Sequence, residues 1–465
     1  MTLTTSDAFV FFGATGDLAY KQIFPALQAL IIRGHLDIPI IGVAKSGWDI
    51  GKLRERARES IEQHGGLDEE AFAKLSSLLQ YIDSDYHEDA TYDALRRALG
   101  DARRPLYYLA IPPSMFTTVV GGLCRSGCAD GARVVVEKPF GRDLASAREL
   151  NGIITSVFPE PAIFRIDHFL GKEPVQNIFY TRFANTIFEP IWNRNYISSV
   201  QITMAENFGV KGRGRLYEET GAIRDVFQNH LLSIVAYLAM DSPSSDDPGA
   251  VREENTRLLR SIRPLDPAHV VRGQFRGYRQ KPGVAPHSEV ETFVAAKLFI
   301  DSWRWAGVPL YIRTGKCMPI TSTTVTVEFK RPPREAFGEI VPNLSNHFRF
   351  RLSPDVLIEL GIRVKIPGEK RAGEDVDLTL VQSEGDAMAP YERLLGDALT
   401  GNSVLFALET TVEEQWRIVN PILGEVSPLY FYDPDTWGPA EADQIIAEHG
   451  PWYNPKPAGE APQAS

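Results

Sequence analysis

Five consecutive apolar residues near the start, Ala8-Phe-Val-Phe-Phe12, run straight into a turn with two glycines, Gly13 and Gly16, and then into a helical pattern that continues to about Arg33. A run that is apolar at every position reads as a strand buried on both faces, which is the environment of a parallel sheet. Parallel strands need a crossover between them, so this opening commits the N-terminal part of the chain to alternating strands and helices. Glycines at a strand-to-helix turn let the backbone approach a pyrophosphate, and the helix start offers amide groups to its charge. The spacing Gly-x-x-Gly-x-x-Ala also suits a plain tight turn, and by itself it leaves both readings open.

The alternation continues. Residues 38–44 read as the second strand, and it ends on Lys45-Ser46, where a site for NAD usually carries an acidic residue. A cation and a hydroxyl suit the extra 2′-phosphate of NADP; a solvated lysine is the plainer reading. Residues 53–63, 69–79 and 92–99 read as covering helices. Residues 106–111 and 134–136 are further buried strands, the second running into Glu137-Lys138-Pro139, where Pro139 sets a turn that a cis bond would suit. Lys138 thus stands at the carboxyl end of a parallel strand, where ligands bind, or in a surface pair with Glu137. Residues 162–166 read as the last strand of this domain.

Beyond the stretch Arg165-Ile-Asp-His-Phe-Leu-Gly-Lys172 the alternation stops. Residues 199–206 look like a two-faced strand and 218–240 like one long helix. Residues 292–300, 308–313, 323–330 and 349–360 suggest a large, mostly antiparallel sheet. The expected fold class is an α/β, Rossmann-like dinucleotide-binding domain over residues 1–173. An α+β domain for substrate binding and oligomerisation follows over 174–453, with a disordered tail over 454–465.

Composition narrows the function. The net charge of −11 speaks against a general nucleic-acid binder, which needs a basic surface to displace phosphate counterions. The three cysteines, Cys124, Cys128 and Cys317, imply neither a disulfide framework nor a metal site, since zinc wants four ligands at recognisable spacing. The first residues lack a basic, apolar leader, and no apolar run approaches the roughly 18 residues of a membrane span. A cytoplasmic protein without a membrane partner is the expectation.

Three groups of residues could carry chemistry: Asp167 and His168 with Lys172; Asp225 with His230; and Lys316 at a strand end. On an α-helix Asp225 and His230, five apart, diverge by about 140°. Asp225 is then poorly placed to orient His230 as a base, and Asp167 is the candidate partner that would fix its tautomer. Asp225 would be left to bind hydroxyls or to pair with Arg224. His230 could equally be a core histidine, and His168 with Lys172 either a phosphate cradle or a solvated basic turn.

At this point the chain resembles the glucose-6-phosphate dehydrogenase family. The resemblance rests on Gly13-Ala-Thr-Gly-Asp-Leu-Ala19, Glu137-Lys-Pro-Phe-Gly-Arg-Asp-Leu144, Arg165-Ile-Asp-His-Phe-Leu-Gly-Lys-Glu173, Gly212-Arg-Gly214, Ile223-Arg-Asp-Val226, Gln228-Asn-His-Leu-Leu232 and Arg313-Thr-Gly-Lys316. Tyr391-Glu-Arg-Leu-Leu395 and Trp416-Arg417 extend it toward the C-terminus. It implies oxidation of glucose 6-phosphate to 6-phosphogluconolactone with NADP, or also NAD, the first step of the pentose phosphate or Entner-Doudoroff route.

The resemblance also implies roles. His230 would be the base and Asp167 its orienting partner. Lys138, His168, Lys172, Glu206, Asp225 and Lys316 would hold the substrate. Gly13, Ala14, Thr15, Gly16, Asp17, Leu18, Lys45 and Lys138 would hold the cofactor, and the protein would be a homodimer or homotetramer. Phe169 and Phe116 stand where the family commonly has tyrosine, Lys45 where it has arginine, and Thr321 near an expected cation. Two other readings are a sugar oxidoreductase of the glucose-fructose oxidoreductase type and a non-catalytic NADP sensor.

Overall fold

The structure, a computed structural model, describes residues 5–333, 346–368, 373–381 and 388–457. It divides into two compact units. The first holds Met1–Glu173, Pro243–Glu254 and Ala387–Glu413; the second holds Pro174–Ser242, Asn255–Asp386 and Glu414–Ser465. A single cut after residue 173 is the expectation from sequence, whereas each unit draws on separate pieces of chain.

The first unit is built on a sheet of β1 (Ala8–Phe12), β2 (Ile40–Ala44), β3 (Leu79–Asp83), β4 (Pro105–Leu109), β5 (Arg133–Glu137) and β6 (Ile163–Ile166). These six are parallel, in the order β6-β5-β4-β1-β2-β3. Alternate residues of β1 explain its unbroken apolarity. Phe9 and Phe11 belong to one core, while Ala8, Val10 and Phe12 belong to the core on the opposite face. Each buried ring contributes roughly 1.5–3 kcal/mol. Strand order reverses between β4 and β2, with β1 at the switch point, where open α/β sheets bind ligands.

Two expectations for this unit need correction. β6 is not the last strand, because Phe406–Ala407 pairs antiparallel with it from far along the chain. β3 begins at the end of the stretch 69–79 expected as a covering helix and is not among the expected strands; as an edge strand it is only partly buried and carries a weak apolar signal.

The second unit is built on β7 (Ile197–Ala205), β8 (Val270–Phe275), β9 (Phe293–Leu298), β10 (Leu310–Gly315), β11 (Ser322–Phe329), β12 (His347–Ser353), β13 (Leu357–Lys365) and β14 (Gly373–Val381). With Phe406–Ala407 counted as β15, Leu429–Tyr432 is β16. The nine strands run β14-β13-β12-β11-β7-β10-β9-β8-β16, antiparallel except for the pairs β7·β10 and β8·β16. Residues 349–360, expected as a single stretch, fall on two strands, β12 and β13.

The expected long helix over 218–240 is instead three segments: α-helix Gly214–Ala222, π-helix Ile223–Leu231 and α-helix Leu232–Ala239. The first residue of the expected tail, Asn454, is held by the second unit. The Arg313 guanidinium donates to the Tyr453 carbonyl at 3.0 Å and to Asn454 Oδ1 at 2.6 Å, and residues 458–465 lie outside the described residues. No helix among the described residues is long and apolar enough to cross a membrane.

Candidate active site

In the first unit, parallel pairing brings the carboxyl ends of the strands to one edge, so residues just past those ends are neighbours. Register Glu137↔Ile166 sets Lys138 beside Asp167, and Ala44↔Asp83 sets Lys45 near Asp85. Gly13, just past β1, has φ +81°, and a Cβ there would lie 2.2 Å from the Ala110 carbonyl oxygen. Only glycine lets the chain turn so close to the neighbouring strand end. Its N–H donates to the Tyr86 hydroxyl at 2.9 Å, and that hydroxyl donates to the Val43 carbonyl at 3.0 Å. Gly16, Asp17 and Leu18 lead into a π-helical turn, Ala19–Ile23, and then α-helix Phe24–Ile32. A backbone pinned this close to the switch point fits a dinucleotide phosphate.

Lys138 follows β5 and enters a cis bond to Pro139. Beside it, Glu137 accepts a hydrogen bond from the Tyr108 hydroxyl and is bonded by Tyr391. Removal from water pushes its carboxyl up to about 7, although the two phenols and the Lys138 charge act in the other direction. Tyr391 lies on helix Pro390–Thr400, which packs so closely that a Cβ on Gly171 would sit 2.9 Å from the Pro390 carbonyl oxygen. The Tyr391 ring stacks on His168, with centroids 6.3 Å apart and planes 13° from parallel.

Asp167 is buried and accepts the Phe169 N–H at 3.0 Å. Phe169 is also buried, and the Lys172 ammonium lies 4.6 Å from its ring centre. The ring therefore supports the lysine by packing and a cation–π contact. Arg165 is wholly buried and engaged with Asn151 and Glu160, which marks it as a structural residue of the stretch it begins.

In the second unit the same logic operates on β7 and β10. Register Gly315↔Ala205 makes Glu206 and Lys316 emerge side by side, and their side chains form an ion pair. Asp225 Oδ2 lies 4.0 Å from the Lys316 ammonium, which also faces the rings of Phe208 and Tyr217, each at 5.3 Å. Lys316 is only 7% exposed.

Asp225 and His230 are both on the π-helical segment, and this overturns the angular estimate above. In an i→i+5 register, residues five apart are one turn apart and lie on nearly the same face. Spacing therefore gives no ground for separating Asp225 from His230. The segment is braced at its start by buried Glu291, which accepts the Ile223 N–H at 3.1 Å. Gly221 makes room for that carboxylate: at φ +63°, its Cβ would meet Glu291 Oε1 at 2.4 Å. His230 is buried, and its backbone N–H donates to Asn229 Oδ1 at 2.6 Å.

Of the positions where family tyrosine or a cation is expected, Phe116 is buried in the core and Thr321 donates to Asn207 Oδ1 at 2.7 Å. Tyr86, Tyr108, Glu291 and Asp85 carry no local signal in the sequence, and Tyr391 is marked only by its motif. All five act through partners more than 15 residues away, apart from their local bonds.

A doubly wound sheet with a glycine turn at its switch point is the architecture of dinucleotide-binding domains, here joined to a second unit with a large mixed sheet. Comparison with known proteins narrows the class. Residues 10–177 match the family model described as glucose-6-phosphate dehydrogenase, NAD binding domain, and residues 179–454 match its C-terminal domain. Glucose-6-phosphate 1-dehydrogenase 1 of Mycobacterium tuberculosis is 42% identical over 97% of both chains. The enzyme of Aggregatibacter actinomycetemcomitans is 37% identical over 96% of this chain and 97% of its own. Among solved structures, glucose-6-phosphate 1-dehydrogenase from Mycobacterium avium superposes with a TM-score of 0.92 at 41% identity, covering 97% of this chain and 99% of that one. A glucose-6-phosphate dehydrogenase in complex with glucose 6-phosphate superposes with a TM-score of 0.90 at 32% identity, covering 98% and 100%. The chain belongs to the glucose-6-phosphate dehydrogenase family.

Proposed function

We propose that the protein oxidises glucose 6-phosphate to 6-phosphogluconolactone, using NADP and also NAD. The observation that carries this reading is the 42% identity to a curated glucose-6-phosphate 1-dehydrogenase over 97% of both chains. The cofactor, when bound, accepts the hydride that leaves the anomeric carbon. Gly13, Ala14, Thr15, Gly16, Asp17 and Leu18 would hold its phosphates, Lys45 would meet the 2′ position, and Lys138 would serve both cofactor and sugar.

His230 removes the proton of the anomeric hydroxyl, a task suited to a group whose ordinary pKa of about 6.5 lies near working pH. Asp167 orients it, a role that rests on family resemblance. His168 and Lys172 hold the sugar phosphate, supported by the Tyr391 and Phe169 rings against which they lie. Glu206, Asp225 and Lys316 bind the sugar end or its phosphate and fix the anomeric carbon before the base. Assembly as a homodimer or homotetramer and a cytoplasmic location belong to the same proposal. The first is supported by Leu378, Leu380 and Val381, which stand exposed on edge strand β14.

Absorbance at 340 nm with glucose 6-phosphate and NADP tests the proposal. A rise is the expected result. Silence with both NADP and NAD would favour a cofactor sensor, and equal turnover of free glucose would favour the glucose-fructose oxidoreductase type.

A further inference from the structure

We infer that Asp85 biases the cofactor preference of this chain toward NAD: its carboxylate holds the Lys45 ammonium that would otherwise close on a 2′-phosphate. The inference rests on the proposal that residues 13–18 and Lys45 receive the cofactor. Register Ala44↔Asp83 places the ends of β2 and β3 side by side, and Lys45 Nζ lies 2.7 Å from Asp85 Oδ2. The other oxygen of Asp85 accepts the His87 N–H at 3.0 Å, which fixes the carboxylate in place.

The rest of the turn is engaged in the same way. Asp83 Oδ1 accepts the N–H of Ser46 at 2.7 Å and of Gly47 at 3.0 Å. The Ser46 hydroxyl shares a hydrogen bond of 2.6 Å with the Tyr81 hydroxyl. The cation and the hydroxyl that suit a 2′-phosphate are therefore both held by neighbours, and the Lys45 charge feels three carboxylates, Asp85 most strongly, with Glu88 and Asp83. These hold the Lys45 ammonium above its ordinary pKa, with the Asp85 hydrogen bond the largest cause.

A dianionic 2′-phosphate must displace Asp85 from Lys45 and then sit among the remaining carboxylates. A ribose hydroxyl brings no charge and can donate to a carboxylate, the arrangement that NAD sites obtain from an acidic residue at the end of the second strand. Here the carboxylate comes from just beyond the third strand, which hides it from any reading of β2 alone. The Lys45–Asp85 pair is largely exposed, so its effect on affinity is about two- to fivefold.

Calorimetric titration of the full-length protein with 2′,5′-ADP and with 5′-AMP, at low salt, isolates the 2′-phosphate. Asp85→Asn, which keeps an acceptor for the His87 N–H, should tighten 2′,5′-ADP by about two- to fivefold and leave 5′-AMP unchanged. The gain should vanish in the double variant Lys45→Met, Asp85→Asn. If Asp85→Asn leaves 2′,5′-ADP unchanged while 5′-AMP binds, or tightens both nucleotides equally, the inference fails and the cofactor site stands. If 5′-AMP binds to no variant, both fail together.

Discussion

Lys45 and Lys316 occupy equivalent places, each the first residue beyond a strand, and each stands within reach of carboxylates. Their surroundings are opposite. The Lys45 side chain is 71% exposed and pairs with Asp85. Lys316 is nearly buried among Glu206, Asp225 and two aromatic rings. An exposed pair is weakly held and exchanges readily for a ligand, so the proposed cofactor contact of Lys45 is adjustable. A buried pair cannot lose one member without leaving an uncompensated charge, so the Lys316 cluster is a fixed frame, proposed above to receive substrate. Strand-end position thus creates the opportunity for a ligand contact, and burial decides how firmly the contact is set.

The largest effect tests the base that shares its helical segment with the fixed frame. His230→Asn should lower kcat by roughly 10²- to 10⁴-fold while the dissociation constant for glucose 6-phosphate stays within a few-fold. Steady-state kinetics with a binding titration check this, and an equal loss of binding would make His230 a ligand. Lys316→Ala should lower kcat/KM by at least about tenfold and destabilise the fold by about 1–3 kcal/mol, after allowance for the partial exposure of Glu206 and Asp225. A melting curve unchanged from the parent would erase the contrast with Lys45.

Glu137 gives an intermediate, pH-dependent case. Its carboxyl is raised from 4.5 to about 7, so the folded state retains a proton that the unfolded chain has released. Its stabilising contribution is full below the unfolded value and is lost as pH rises through 7. Melting temperatures of wild type and Glu137→Gln, followed from about pH 5 to about pH 8, should show the wild type falling relative to the variant. Parallel curves would mean that Glu137 does not hold the proton. The smallest effect belongs to the exposed pair: Lys45→Ala should raise KM for NADP about two- to fivefold and leave KM for NAD unchanged. Equal changes would remove Lys45 from the 2′-phosphate.

Much of this was legible in the sequence because it depends on local pattern. β1 is apolar at every position since both its faces are covered, and Gly13 is required by a close backbone approach. Phe406–Ala407 was not legible: two residues cannot show a period, and their partner strand lies some 240 positions earlier. The helical register between Asp225 and His230 is hidden for a different reason. A π-helical register leaves no mark in a pattern judged at 3.6 residues per turn, and the brace supplied by Glu291 comes from another element. The Glu137–Tyr108–Tyr391 network and the Lys45–Asp85 pair escaped because each joins separate strands or segments. Their geometry exists only after the sheet has assembled.

In the proposed function, fixed charges hold a phosphorylated sugar. The ratio of kcat/KM for glucose 6-phosphate to that for free glucose, with NADP saturating, tests it most directly. A site whose His168, Lys172 and Lys316 are placed for that purpose should favour the phosphorylated sugar by at least about a thousandfold. A ratio near one would contradict the account.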